Sequence, residues 1–375
     1  MKKLTLSSGI AMVFAASCGG EQPEPSAATT TIAELRAGPT NKIAALVEHD
    51  NIVSDLTTVG ASAVDDNLRN AWGLAFSPMG PAWVSSNGRG LSQVYDPAGN
   101  ILLSVTVPPP KDGMPPSTPT GQVFNDDSSA FKGDLFIFVT EDGTISGWQP
   151  SLGTNAMLRV NTPKDEPSYK GVAIAESHGE KRLYAADFAN AEIDVFDDHY
   201  HKRPQHQGRF CDPFLPKGFA PFNIVTHDGL LYVSYAKQGP TGDDEAGPGN
   251  GFVDVYEPDG DLRQRLVSRG VLDSPWGMAF MAAEGKHKRA HEQLIVGNFG
   301  DGRINVFDLE RHHGKLDADL AGALGDKDTG EPLVIPGLWA LVFGPGAGGF
   351  DADDLYFTSG PNDEEDGIFG EIGFD

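Results

Sequence analysis

The chain is 375 residues long, with a formal charge of −25, 46 Gly and 27 Pro, and 39% hydrophobic residues. That length suffices for a large core, and abundant Gly and Pro without low complexity favour many short strands over long helices. The acidic balance and scattered Lys and Arg argue against a nucleic-acid partner, and beyond the N-terminus nothing approaches the roughly 18–20 apolar residues of a membrane span.

The chain opens MKKLTLSSGIAMVFAASCGG. Lys2 and Lys3 supply a basic start, and Leu4–Ala16 is an apolar run of export-signal length. Ala15, Ala16 and Ser17 leading into Cys18 resemble the lipobox of bacterial lipoproteins, with Ala where that motif usually has Leu. The resemblance implies a lipidated Cys18 as the new N-terminus. An ordinary signal peptide cut near the same place is the alternative. Residues 1–17 are thus expected to be a lipoprotein signal peptide, 18–50 the lipidated cysteine and a flexible linker, and 51–375 the folded domain. The expected address is the bacterial cell envelope, periplasmic side or outer membrane, with membrane contact through the anchor only. Cys211, the one other cysteine, is then expected to form no disulfide and to be a small apolar filler between Phe210 and Phe214.

Six segments share a bulky residue followed by a small and then an apolar pattern: WGLAF (72–76), TGQVF (120–124), KGVAI (170–174), FNIVT (222–226), WGMAF (276–280) and WALVF (339–343). Their starts are 48 to 63 residues apart. Each precedes a second strand-like run and then a third in which apolar and polar residues alternate, as in RINVFD and EIDVFD. A repeat of this length with three or four short strands predicts an all-β, six-bladed β-propeller. The sixth repeat ends without a fourth strand, so NIVSDLT (51–57) is expected to close the last blade from the N-terminus. GNFGDGRINVFD (297–308) is then a hairpin turn: neither Lys-Ser/Thr nor a helix follows it, as a phosphate loop would require.

At the level of fold the repeats resemble NHL-type and gluconolactonase-type propellers. In order, NAWGLAF, TEDGTISGW, FAPFNI, AGPGNGFVDVYEPDG, SPWGMAF, VGNFGDGRINVFD and GPNDEEDGIFG resemble an exported bacterial six-bladed propeller family with no assigned activity. The resemblance spans roughly Asn51 to Gly370 and implies fold and export, not a reaction.

Antiparallel geometry brings the starts of first strands and the ends of second strands to one face. The expected ligand-binding face comprises Trp72, Asn87, Asp142, Lys170, Asp187, Asn223, Trp276, Asn298, Asp301, Trp339, Asn362 and Asp363. Glu141 and Lys237 belong to the same loops, and the long insertion carrying Asp243, Asp244 and Glu245 is expected to overhang them. No cofactor is expected. Ca²⁺ is the metal that the gluconolactonase-type resemblance raises, with Asp187, Asn298 and Asp363 as candidate ligands. The His-rich DDHYHKRPQHQ (197–207) has no ordered ligand spacing and is expected to be a solvated loop, and no catalytic residue is nominated. Two functions follow. One is a monomeric, non-enzymatic envelope module binding a protein, peptide or glycan. The other is a Ca²⁺-dependent hydrolase of lactones or esters.

Overall fold

The computed structural model describes residues 40–162, 165–282 and 292–374, and no α-helix occurs among them. Chain order begins with β1 (Ile43–Ser54) and the short β2 (Ala63–Val64). A first meander follows: β3 (Ala71–Phe76), β4 (Ala82–Ser86), β5 (Leu91–Tyr95) and β6 (Ile101–Thr106). The second is β7 (Pro119–Phe124), β8 (Phe136–Thr140), β9 (Thr144–Trp148) and β10 (Met157–Asn161). The third has three strands, β11 (Tyr169–Ser177), β12 (Glu180–Asp187) and β13 (Glu192–Asp197). The fourth comprises β14 (Phe219–His227), β15 (Leu230–Lys237), β16 (Gly251–Tyr256) and β17 (Leu262–Ser268). The fifth is β18 (Pro275–Ala282), β19 (Glu292–Asn298), β20 (Ile304–His312) and β21 (Lys315–Asp326), and the last is β22 (Leu338–Phe343), β23 (Leu355–Ser359) and β24 (Ile368–Phe374).

Neighbouring strands within each meander pair antiparallel. The first strands touch in cyclic order, β3 to β7, β11, β14, β18 and β22, and β22 returns to β3. Sheets arranged radially around a ring of innermost strands make a β-propeller. Close approach at the ring explains the small residue after each bulky one. A Cβ on Gly73 would strike Thr120 O, one on Gly171 would strike the Asn223 side chain, and one on Gly277 would lie 2.6 Å from Trp339 O.

β1 pairs antiparallel with β24 and parallel with β21, which joins the fifth and sixth meanders into one nine-stranded sheet that includes β2. The N-terminal strand therefore begins at Ile43, ahead of the expected 51, and covers the edges of two meanders. The third meander lacks the fourth strand expected of it. Residues 198–218 contribute only the bridge Phe196–Lys202, and Pro204, Pro213 and Pro216 remove ladder donors along that segment. Cys211 lies in the same segment and is disulfide-bonded, which corrects the expectation of a lone filler. Cys18 lies outside the described residues.

Candidate functional site at the axial mouth

One backbone hydrogen bond recurs in all six meanders and fixes which residues are equivalent. The residue just after each second strand donates its N–H to the carbonyl two residues before the innermost position. The pairs are Asn87 to Asn70 (3.2 Å), Glu141 to Thr118 (3.1 Å), Phe188 to Ser168 (2.9 Å), Gln238 to Gly218 (2.7 Å), Phe299 to Ser274 (3.0 Å) and Gly360 to Gly337 (2.8 Å). The innermost positions are thus Trp72, Thr120, Lys170, Ala220, Trp276 and Trp339, so Ala220 takes the place expected for Phe222. At the second-strand ends the axial residues are Phe188, Gln238 and Phe299, one beyond the expected Asp187, Lys237 and Asn298. A one-residue offset in a strand turns a side chain to the opposite face.

The axis at this level is filled by aromatic rings. Trp339 stacks on Trp72 at 3.6 Å and on Phe299 at 4.0 Å, while Trp276 meets Trp72 and Trp339 edge-on. Such contacts add specific geometry to a large apolar burial. Above the stack lies Lys170, only 4% exposed, with Nζ 5.1 Å from the Trp72 ring centroid. A buried ammonium needs a counter-charge. Glu141 supplies it in a close ion pair, and Glu141 also accepts a hydrogen bond from Asn87 Nδ2 at 2.9 Å. Asp243 approaches Lys170 at 4.0 Å from the long loop after β15.

Two loops roof this cluster. Residues 238–250 are held by Gln238 Nε2 to Phe188 O (2.6 Å), Lys237 Nζ to Glu245 (2.6 Å) and Gly247 N–H to Asp273 Oδ1 (2.6 Å). Residues 360–367 place Asn362, Asp363 and Glu364 in succession at positive φ (57°, 54°, 65°). Three consecutive non-glycine residues there mark stored backbone strain. The turn delivers the Glu364 carboxylate to Asn70 Nδ2 at 2.6 Å, and Asn70 Oδ1 accepts from Trp339 Nε1 at 2.9 Å. Arg69 anchors the same loop through Asp366 (3.0 Å) and Asp55 (2.9 Å).

Burial, with the nearby Glu141 charge, pushes the Glu364 carboxyl up to about 7, although Asn70 and Lys170 pull it back. Burial also raises Asp244, while Ser274 and Lys170 oppose the rise. Ser274 is close enough to favour the Asp244 carboxylate, yet neither Ser274 Oγ nor Asp244 Oδ2 completes a hydrogen bond. The indole N–H groups of Trp72 and Trp276 are also buried without partners.

The structure thus unites Trp72, Lys170, Trp276 and Trp339, with Asn87 one hydrogen bond away through Glu141. The other expected site residues serve their own turns and strands. Asp142 accepts from Thr118 N–H (2.8 Å), and Asn223 ties the Trp276 carbonyl (2.8 Å) to its own strand. Asp187 accepts from the Ser168 and Asn190 backbones and from Asn190 Nδ2, and burial raises it. Asn298 donates to Val271 O and Asp301, and Asp301 also accepts from Arg303 N–H. Asn362 reaches Asp366 at 2.7 Å, and Asp363 is exposed. No hydrogen bond of Asp187, Asn298 or Asn362 reaches another of the three. Asp187, Asn298 and Asp363 show no common oxygen cage for Ca²⁺, which would need several convergent oxygens. Asp187 does approach Glu192 and Asp194, but Lys202 already lies 2.7 Å from Asp194. In the His-rich loop, His199 and His201 are exposed and pair with Asp198 and Asp197.

Sequence reasoning missed Asn70, Ser274 and Glu364. A signal for the first two exists: each sits two residues before a tryptophan, and both adopt positive φ (45° and 46°), as Gly337 does before Trp339 (66°). Glu364 had only the acid-rich SGPNDEEDG to mark it.

Fold and axial mouth together define a β-propeller with a roofed polar cluster at one end of its axis. No protein-family model matches the chain. It is 31% identical over 355 residues to "Uncharacterized protein L690" of Acanthamoeba polyphaga mimivirus, across 90% of this chain and 87% of that one. A second protein of the same virus, "Uncharacterized protein R648", is 31% identical over 337 residues, across 86% and 78%. The chain belongs to the family these proteins represent. These relatives are viral, which corrects the expectation of a bacterial family. Among solved structures, the soluble aldose sugar dehydrogenase from Escherichia coli in its apo-form superposes with a TM-score of 0.53 at 12% identity, over 88% of this chain and all (100%) of that one. A glucose dehydrogenase gives 0.51 at 13% identity, over 87% and 99%. At these identities the likeness shows the propeller fold alone.

Proposed function

We propose that this chain is a six-bladed propeller acting as a ligand-binding module of the cell envelope. It is exported and takes a protein, peptide or glycan at the axial mouth under its two long loops. The supporting observation is the cluster itself. Lys170, Glu141, Asp244 and Glu364 come from four different meanders, and the indole N–H groups of Trp72 and Trp276 beside them stay buried without partners. Buried polar atoms without partners are rare in folded proteins, and a bound ligand or ordered water is what completes them. Titration calorimetry of the protein against oligosaccharides and peptides tests the proposal. At least one class is expected to bind wild type and to bind Lys170→Met at least about tenfold more weakly. Binding by neither class, or equal binding to both proteins, would overturn it.

A second function, hydrolysis of a lactone or ester, draws on one observation. Glu364 sits near neutral pKa beside the Lys170–Glu141 pair, where a general acid or base works best. Hydrolase activity abolished in Glu364→Gln would support it, and a blank substrate panel would remove it. Export is tested by the mass of the N-terminal peptide of the mature protein: cleavage within the apolar leader, ahead of Cys18, is expected, and an uncleaved Met1 start would contradict it.

A further inference from the structure

We propose that His227, Asp228 and Glu292 form a site for a divalent transition-metal ion of the Zn²⁺ type, at the end of the propeller opposite the axial mouth. β14 runs from the mouth, past Ala220, to His227, and β19 runs from Glu292 back to Asn298. The site therefore stands apart from the binding role proposed above and does not rest on it.

The three residues come together from two meanders. β14 and β15 are joined by the two-residue turn of Asp228 and Gly229, with φ of 49° and 72°, so Asp228 follows His227 at the hairpin tip. The His227 ring lies flat on Phe280 of β18, with centroids 3.7 Å apart and planes 4° from parallel, which fixes the imidazole. Its Nε2 lies 2.5 Å from Glu292 Oε1, and one ligand atom from each of His227, Asp228 and Glu292 falls within 4.8 Å of the others. Ligand atoms of a tetrahedral Zn²⁺ sit about 3.3 Å apart, given bonds of about 2.0–2.1 Å. Glu292 is partly exposed and Asp228 exposed, so both side chains are free to swing to that spacing. An imidazole nitrogen with two carboxylates suits Zn²⁺ and its neighbours, whereas Ca²⁺ and Mg²⁺ take oxygen ligands.

Tyr232 is an independent sign that the cluster holds something. It is fully buried, yet its hydroxyl has no hydrogen-bond partner. Strand register turns it to the same face as His227, and its ring lies 6.1 Å from the His227 ring. Burial, and after it the Glu292 charge, push this phenol up to about 12, with Arg311 opposing and Asp228 adding. It therefore sits among these charges and remains a donor. A water bound to the ion, the fourth ligand of an open site, gives that donor its acceptor. Arg311 offsets little of the charge, since it reaches Asp228 only at 3.7 Å with both side chains more than half exposed. In the two other groups of convergent ligands the oxygens are already engaged. Asp197 accepts from the His199 and His201 backbones, and Lys202 and Tyr169 hold Asp194.

The test is calorimetric titration of the chelator-stripped protein with Zn²⁺, Mg²⁺ and Ca²⁺ separately. Zn²⁺ is expected to bind with a Kd of about 1 μM or tighter, and at least about tenfold more tightly than either of the others. His227→Phe, which keeps the stack on Phe280, and Glu292→Gln are each expected to weaken it at least about tenfold, with the melting temperature of the metal-free protein preserved. Tyr232→Phe, which deletes only the hydroxyl, is expected to weaken it several-fold. The double variant His199→Ala with His201→Ala is expected to leave it unchanged. Co²⁺ in place of Zn²⁺ is expected to show the visible absorption of a tetrahedral ion, lost in Glu292→Gln. Where His227→Phe does not fold, Glu292→Gln and Tyr232→Phe decide. Absence of Zn²⁺ binding, equal affinity for Mg²⁺ or Ca²⁺, or Zn²⁺ binding that survives Glu292→Gln and falls only in the double variant overturns the proposal.

Discussion

Glu364 shows how one side chain can carry information about the whole mouth. Its folded value near 7 lies above the ordinary 4.5, so the folded protein holds that proton more tightly than the unfolded chain. The stability it lends is fully present below about 4.5 and is lost as pH rises through about 7. Asp254, buried beside Asp212 and also pushed up to about 7, acts in the same direction, so the variant must be compared with wild type. Glu364→Gln keeps the hydrogen-bonding shape and removes the titration. Thermal melts from about pH 5 to about pH 8 are expected to fall less steeply for the variant, by on the order of 2 kcal/mol across that range. Parallel curves would mean that Glu364 is solvated and the roof is open. Asp187 and Asn298 teach the opposite lesson. Their types and loops suggested a site, but a one-residue offset assigned them to turn hydrogen bonds, and residue type cannot reveal such an offset.

At the scale of elements, the bulky-then-small pattern at each first strand was visible in the sequence because ring geometry enforces it. Gly73, Gly171 and Gly277 stand where neighbouring backbones touch. Gly171→Ala would push a methyl group into Asn223, and it is expected to destabilise the domain by about 1–3 kcal/mol in denaturant unfolding, the usual cost of overpacking. Gly153→Ala, with nothing near its Cβ but φ of +63°, serves as a backbone-strain control. The closing strand was legible in kind, since the sixth repeat lacked an outer strand. Its parallel pairing with β21 was not, because nothing local to residues 43–47 specifies a second partner. Removal of residues 1–57 is expected to lower the melting temperature far more than removal of residues 1–39, since only the longer cut deletes β1. Equal melting of the two truncations would show that β1 is not a clasp. The missing fourth strand of the third meander was marked in the sequence by its prolines, which repeat-counting overlooked.

For the molecule as a whole, the propeller was legible because six copies of one pattern report the same geometry six times. The mouth was not, because it is built from what differs between copies: a lysine in one, a long acidic loop in another, a strained turn in the last. The two roofing loops must move for any ligand to reach Ser274 and Trp276, while the sheets beneath stay folded. Labelling of Ser274→Cys by a small thiol reagent under native conditions measures that motion. Ser85→Cys, equally buried but within β4, is the reference. Ser274→Cys is expected to label at least about tenfold faster than Ser85→Cys, at a rate insensitive to low urea, because local opening exposes little surface. Labelling of both at one slow, urea-dependent rate would mean that only global unfolding uncovers the axial mouth, and would contradict its proposed role as a binding site.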